Sequence, residues 1–372
     1  MNTFSFWQPT RIIFERGCLE RELGRVADLG SSALVVTGRR FASATGLVDR
    51  VRKSLEKAGV SCTVFDRVKP EPDVENVEEG AGVCQREGCR VIIGVGGGSA
   101  LDAGKAIAVL ATNGGCLRDY FGRENFAREP LPVVAIPTTC GTGSEVTRYA
   151  VIVDTLAETK KTISSESLIP ELALLDSELL KTLPPKLVAA TAMDAFSHAV
   201  ESFLSRRANI LSQSFSRMAL TALLQGLPEA VTAKEPAEYR ELVFFGSLLA
   251  GLAINQTGTI MVHGMGYALT IRYGLHHGTA NALLLPEVLE YLRRHGQAEQ
   301  VAELERMWNG QKGLKKLLAV MGLPLRLSEV GVSASELTEL ARLAIIGCQR
   351  AVKNMSLEPS REDYRQILKA LF

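Results

Sequence analysis

Asp194 and His198 stand four residues apart in Thr191-Ala192-Met193-Asp194-Ala195-Phe196-Ser197-His198-Ala199-Val200-Glu201, a stretch with no helix breaker and many good helix formers. On a helix this spacing puts both side chains on one face, with Cβ atoms about 5–6 Å apart. A carboxylate and an imidazole so placed make a chelating pair suited to Fe, Zn, Ni or Mn. The same spacing also suits a plain hydrogen-bonded pair, half buried on an amphipathic helix. The other histidines tip the balance. The chain has five, and three of the remaining ones fall in a single later segment: His263 in Met261-Val262-His263-Gly264-Met265-Gly266, and His276 with His277 in Gly274-Leu275-His276-His277-Gly278-Thr279. His263 sits among apolar and glycine residues, which implies burial, and a buried imidazole needs a polar partner or a metal. The fifth, His295, follows Arg293-Arg294, where a basic helix end accounts for it.

A second chemistry lies upstream. Val91-Ile92-Ile93-Gly94-Val95-Gly96-Gly97-Gly98-Ser99-Ala100-Leu101-Asp102 reads as a buried strand, a glycine turn and a helix capped by Ser99. Glycines let backbone N–H groups approach an anion without Cβ obstruction, and the helix N-terminus adds partial positive charge, so a pyrophosphate is the natural guest. The turn matches neither the G-x-G-x-x-G fingerprint nor a Walker loop, and alone it could be a tight turn. It is supported by Ile136-Pro137-Thr138-Thr139-Cys140-Gly141-Thr142-Gly143-Ser144-Glu145, another apolar run ending in hydroxyls and glycines. Open α/β sheets bind ligands at such strand ends. Where dinucleotide folds that prefer NAD place an acid against the adenosine 2′-hydroxyl, Val35-Val36-Thr37-Gly38-Arg39-Arg40 offers glycine and arginines. Arginine suits a 2′-phosphate, so the expectation is NADP(H) in preference to NAD(H), with NAD(H) still possible.

The elements that must carry these residues change character along the chain. Short apolar runs at 33–36, 62–65, 91–95, 133–136, 151–153 and 172–175 are bounded by turn residues, and residues 46–58 and 74–87 between the first three have helical spacing. This alternation predicts a parallel sheet covered by helices on both faces. After Leu183-Pro184-Pro185 the strand-like runs stop and amphipathic helical patterns continue to the end. The expected organisation is an α/β dinucleotide-binding domain over 1–183 and an all-α metal- and substrate-binding domain over 184–372. The opening Phe4 to Phe14 alternates like a strand broken by Pro9, suited to an edge. Its aromatics could meet a partner subunit's strand or the chain's own first domain.

At 372 residues, 46% hydrophobic and 22% charged, the chain is long enough for two cores. No apolar run reaches the ~20 residues of a spanning helix, and the first residues do not begin a signal peptide, so no membrane role is expected. A net charge of +1 leaves no basic field for nucleic acid. Seven scattered cysteines without C-x-x-C spacing fit a reduced, cytoplasmic protein.

Taken together, Gly96-Gly97-Gly98-Ser99 with Asp102 and Lys105, Pro137-Thr138-Thr139 through Gly143-Ser144-Glu145, Asp194 with His198, His263-Gly264-Met265, and His277-Gly278 before Asn281 and Pro286 resemble the iron-containing (group III) alcohol dehydrogenases. The resemblance covers roughly residues 10–290. It implies the dehydroquinate synthase-like fold of that family, an N-terminal Rossmann-like α/β domain followed by a helical domain. It implies metal ligands Asp194, His198, His263 and His277, with Fe(2+) first and Zn(2+) or Ni(2+) also acceptable. Gly96, Gly97, Gly98, Ser99 and Asp102 would cradle the pyrophosphate and nearby ribose. Thr138, Thr139 and Thr142, with Ser144 and Lys160, would line the dinucleotide site, and Gly38 would stand where relatives preferring NAD have an acid. Many relatives carry a second histidine in H-G-M-x-H, where this chain has Tyr267, so Tyr267 or His276 could take over the proton route, or Tyr267 could simply fill the pocket wall. The implied activity is hydride transfer between NADP(H) and a small primary alcohol, diol or aldehyde, in a homodimer. Glycerol dehydrogenases and dehydroquinate synthases are related alternatives, and a non-enzymatic dinucleotide- or metal-binding protein is a third.

Overall fold

The computed structural model describes residues 3–39, 45–122 and 126–372. By its contacts the chain divides into two compact units: one of residues 7–139 and 144–181, the other of residues 1–6, 140–143 and 182–372.

The first unit is α/β. Its strands are β1 (Arg11–Phe14), β2 (Ser32–Thr37), β3 (Ser61–Phe65), β4 (Val91–Gly96), β5 (Val133–Pro137), β6 (Tyr149–Asp154), β7 (Thr159–Ser164) and β8 (Leu172–Leu175). Six of them form one parallel sheet in the order β1-β8-β5-β4-β2-β3. Alternate residues of these strands feed two apolar cores. Leu34, Val36 and Ile92 pack with Val77 of α2 (Val74–Arg86) and Ile107 of α3 (Gly98–Asn113). Ala33, Val35 and Ile93 pack with Val51 and Leu55 of α1 (Leu47–Lys57). Burial on both faces is why these strands read as nearly continuous apolar runs.

One expectation is corrected. The run 151–153 is not part of the parallel sheet: β6 pairs antiparallel with β7 in a separate hairpin, whose second strand, Thr-Lys-Lys-Thr-Ile-Ser, has too little apolar character to stand out in the sequence. The opening residues form one short edge strand after Pro9, within what their alternation allowed; β1 pairs with β8 of its own sheet, while Phe4, Phe6 and Trp7 before it remain exposed.

The second unit is helical, with α4 (Pro185–Leu204), α5 (Ile210–Gly226), α6 (Ala237–Thr257), α7 (Met261–Tyr273), α8 (His277–Leu292), α9 (Ala298–Glu305), α10 (Gly310–Val320), α11 (Leu337–Cys348) and α12 (Arg361–Ala370) as its helices of eight or more residues. Pro184 and Pro185 start α4, where proline's fixed φ is compatible with a first turn. This helix is buried on nearly every side from Val188 to Leu204 and packs against α5, α6 and α8. Among the described residues no single helix is long and apolar enough to cross a membrane.

The edge of the sheet is pinned by one acid. Asp176, fully buried just after β8, accepts from the backbone N–H groups of Gly17, Leu19 and Glu178 at 2.8, 3.3 and 3.0 Å. Removing it strands three donors, two of them more than 150 residues away in sequence. Asp176→Ala should lower the unfolding free energy by about 2–4 kcal/mol in urea titration.

Candidate metal centre and dinucleotide site

The helix α4 presents Asp194, His198 and Glu201 on one buried face, at i, i+4 and i+7. Facing it, α7 supplies His263 from its first turn and α8 begins at His277. Asp194, His263 and His277 bring one ligand atom each within 4.8 Å of one another, an arrangement able to hold a metal ion. His263 Nε2 lies 3.4 Å and His277 Nε2 3.9 Å from Asp194 Oδ1. His198 falls outside that tight group, but its ring stacks on His263 with centroids 4.4 Å apart. Its Nδ1 is 3.3 Å from the Gly141 carbonyl oxygen, so Nδ1 donates there and Nε2 carries the lone pair.

Glycines make this approach possible. A Cβ on Gly278 would lie 1.9 Å from the Ala190 carbonyl oxygen of α4, and one on Gly266 would lie 2.2 Å from Asn281 Oδ1. A side chain at Gly278 would push α8 off α4, and one at Gly266 would displace the Asn281 amide from the cluster.

Two residues assigned no role from the sequence, Asn281 having been only part of a motif, support the cluster. Glu201 accepts from His263 Nδ1. Asn281 donates its amide to Asp194 Oδ1 at 2.9 Å, with His277 Nε2 3.2 Å from the same nitrogen. The signal for both was helical spacing, seven residues after Asp194 and four after His277.

The electrostatics match a cation site. Burial opposes charge on Asp194, yet the surrounding imidazoles, His198 foremost, hold its carboxyl well below the usual range. Burial and then the neighbouring His263 push His198 down to about 4. For His263 burial acts downward as well, but Glu201 and Asp194 on either side lift it to about 9. The buried His263 Nε2 has no hydrogen-bond partner among the described residues. An orphaned imidazole nitrogen beside a carboxylate is the donor set a divalent transition metal fits.

The two remaining candidates differ. Tyr267 is half buried and its ring stacks on His277 at 5.2 Å between centroids. His276 is exposed, and its Nδ1 accepts the Gly278 N–H at 3.3 Å as the N-cap of α8. His295 packs on Tyr291 and its Nδ1 is 2.7 Å from the Tyr291 carbonyl oxygen.

In the α/β unit the glycine turn and the threonine run lie side by side at the carboxyl ends of β4 and β5, where Gly96 is in register with Pro137 and Thr138 N–H bonds the Gly96 carbonyl at 2.9 Å. A Cβ on Gly97 would come within 3.1 Å of Thr139 Cγ2. Helix α3 starts at Gly98 with Gly97 as its N-cap and no side-chain cap; Ser99 is therefore not the cap expected, and its hydroxyl bonds the Pro70 carbonyl instead. Asp102 is also engaged within the protein, accepting from Ser144 Oγ at 2.6 Å and Val151 N at 3.0 Å. Lys160 forms an ion pair with Glu71 at 2.7 Å. Gly38 ends β2 with room for a Cβ, and Arg39 beside it is exposed. Arg40 lies outside the described residues. Thr142 belongs to the segment 140–143 that packs with the helical unit, where a Cβ on Gly141 would meet the Thr191 carbonyl oxygen at 2.5 Å.

Lys105, missed as more than part of a motif, latches the second loop to α3. It is wholly buried, and its ammonium donates to the carbonyls of Ser144, Thr147 and Tyr149 at 2.5, 2.8 and 3.0 Å.

A parallel sheet with a glycine turn at its strand ends, and a helical unit with a buried carboxylate and imidazole cluster, define a metal- and dinucleotide-using oxidoreductase class. The sequence model of iron-containing alcohol dehydrogenase matches residues 9–177, and that of the C-terminal region of the Fe-containing alcohol dehydrogenase family matches residues 188–372. The chain belongs to the iron-containing alcohol dehydrogenase family. It is 32% identical to the NAD-dependent methanol dehydrogenase of Bacillus methanolicus, over 91% of this chain and 93% of the relative. It is 36% identical to the 1,3-propanediol dehydrogenase of Klebsiella pneumoniae, over 85% of each. The crystal structure of a 1,3-propanediol oxidoreductase superposes with a TM-score of 0.93 at 31% identity, covering 100% of both chains.

Burial lowers the Lys105 pKa from 10.5 to about 8, with Asp102 and Glu145 pulling the other way. The unfolded chain therefore holds that proton more tightly across this window, so the cost of the buried cation is full below pH 8 and fades as the pH rises toward 10.5. The stability of the wild type relative to Lys105→Met should accordingly rise by up to about 3 kcal/mol over that range, measured by urea unfolding at a series of pH values.

Proposed function

We propose that this chain is a metal-dependent alcohol dehydrogenase and aldehyde reductase, exchanging hydride between NADP(H) and a small primary alcohol, diol or aldehyde. The observation that carries the reading is the buried convergence of Asp194, His263 and His277, with His198 stacked alongside. These four would hold Fe(2+), and the same donors accept Zn(2+) or Ni(2+). When bound, the cation supplies Lewis acidity to an alcohol or carbonyl oxygen, and the nicotinamide supplies or takes the hydride.

The protein's own part is binding, orientation and proton handling. Gly96, Gly97 and Gly98 present backbone N–H groups to the pyrophosphate, with Ser99, Thr138, Thr139 and Thr142 as polar lining. Asp102 and Ser144, hydrogen-bonded to each other, and Lys160, paired with Glu71, complete the dinucleotide site in this reading. Gly38 and the exposed Arg39 favour a 2′-phosphate, because the residue that follows β2 is a glycine and not an acid. Relatives named for NAD stand against this preference, which makes cofactor choice a direct test. Tyr267 is the better proton carrier of the two candidates, since His276 is exposed and spends its Nδ1 as a cap. The edge strand β1 and the exposed Phe4, Phe6 and Trp7 suit contact with a second copy in a homodimer. All seven cysteines are free thiols, which suits the cytoplasm.

The test is a panel of alcohols and aldehydes run with NADPH/NADP⁺ and NADH/NAD⁺ on metal-free and Fe(II)-loaded protein. Turnover should require the metal and favour the phosphorylated cofactor in kcat/KM; an NADH preference beyond about tenfold overturns the cofactor assignment, and metal-independent turnover overturns the site. Tyr267→Phe keeps the ring against His277 and removes only the hydroxyl. It should lower kcat by about a hundredfold with KM little changed, whereas a loss under about twofold would make Tyr267 a pocket wall.

A further inference from the structure

His263 meets a carboxylate at each ring nitrogen. Nε2 lies 3.4 Å from Asp194 Oδ1, inside the cluster, and Nδ1 is hydrogen-bonded to Glu201 Oε2 on the far side of the ring. Glu201 is fully buried on α4, two turns beyond Asp194, and is not among the cluster's own ligand atoms. Its second oxygen, Oε1, accepts the N–H of Ile260 at 3.1 Å and of Val262 at 2.8 Å, the opening donors of α7. Those N–H groups have no carbonyl one turn back to bond, and a negative charge is favourable at that helix end. One carboxylate thus serves both the helix that carries His263 and the ring itself.

A carboxylate can only accept, so the shared proton belongs to His263 Nδ1 and the lone pair of a neutral ring belongs to Nε2. We propose that Glu201 is a positioning residue of the metal centre: it locks His263 as the Nδ1–H tautomer and thereby makes Nε2, aimed into the cluster, the ligand atom. This rests on the reading of Asp194, His198, His263 and His277 as a metal site. A carboxylate behind a ligating imidazole fixes ring orientation and raises its basicity, and its loss generally weakens metal affinity by about 10–100-fold. The rival role is a purely structural one, in which Glu201 caps α7 and its contact with the ring has no consequence for a ligand.

Glu201→Gln separates the two roles. The amide oxygen can still accept from Ile260 and Val262, so the cap survives. The amide NH2 then turns toward His263 Nδ1 and can only donate, which drives the ring proton to Nε2 and removes the lone pair that a metal needs. Metal-free full-length wild type, Glu201→Gln and His263→Ala are titrated with Zn(II) and with Co(II), reading affinity and the visible Co(II) absorption, alongside the melting temperature of each metal-free protein. The expected result is one ion bound by the wild type, loss of that binding in His263→Ala, and about 10–100-fold weaker binding with an altered Co(II) spectrum in Glu201→Gln at a nearly unchanged metal-free melting temperature. Wild-type affinity and spectrum in Glu201→Gln overturn the role of Glu201 alone. Failure of the wild type to bind either ion overturns the metal reading and this role with it. Should Glu201→Gln not fold, nitrogen-15 histidine labelling of the zinc-loaded wild type decides: with five imidazoles to resolve, His263 should carry its proton on Nδ1, and a proton on Nε2 overturns the proposal.

Discussion

Charge removed from water is the constraint to which the helical unit is built. Asp194, Glu201, His198 and His263 are all buried there, and a charge so placed is tolerable only when opposed or hydrogen-bonded at close range. His263 lies between the two carboxylates and takes the proton that balances part of their charge. His198, stacked against it, is driven toward the neutral form. A divalent cation that displaced the extra proton of His263 would match the two carboxylate charges and give each imidazole lone pair a partner. The need for that cluster to close explains the small residues around it. Gly278 lets the backbone of α8 approach the Ala190 carbonyl, and Gly266 leaves room for the Asn281 amide.

The α/β unit solves a related problem with one cation. Lys105 is as buried as any leucine of the core, and its ammonium is satisfied by three carbonyls of the segment that follows the threonine run. Asp102, one turn before it on the same helix, takes the Ser144 hydroxyl and the Val151 N–H. The helix that begins at the glycine turn therefore also sets the shape of the second loop. Burial pushes the Asp102 carboxyl up and the Lys105 ammonium down, each partly held by the other. Asp102, Ser144 and Lys105 thus tie the glycine turn and the second loop to one another.

Several of these features were legible beforehand because they depend on local pattern. Parallel strands buried on both faces must be apolar throughout, so β2, β4, β5 and β8 stood out; β7, with two lysines on an antiparallel hairpin, did not. Asp194 and His198 were visible as a helical pair because i, i+4 spacing is a property of any helix. Glu201, at i+7, obeyed the same rule but lacked a visible partner, since His263 lies 62 residues away and only the packing of α7 on α8 and α4 brings the two together. Ser99 was misjudged as a cap because capping depends on where the helix begins, and it begins two residues earlier than expected, at Gly98 with Gly97 as the cap.

By itself the sequence determined which residue types were available and on which helical faces or strand ends they stand, because side-chain periodicity follows from backbone geometry alone. That was enough for the class of fold, the glycine turn and the chelating pair. Tertiary structure decided which nitrogen of His263 meets which carboxylate, that Glu201 and Asp102 are hydrogen-bonded within the protein, and that Lys105 is a latch. Those outcomes hang on contacts between segments far apart in the chain, set by the packing of whole helices to within an ångström.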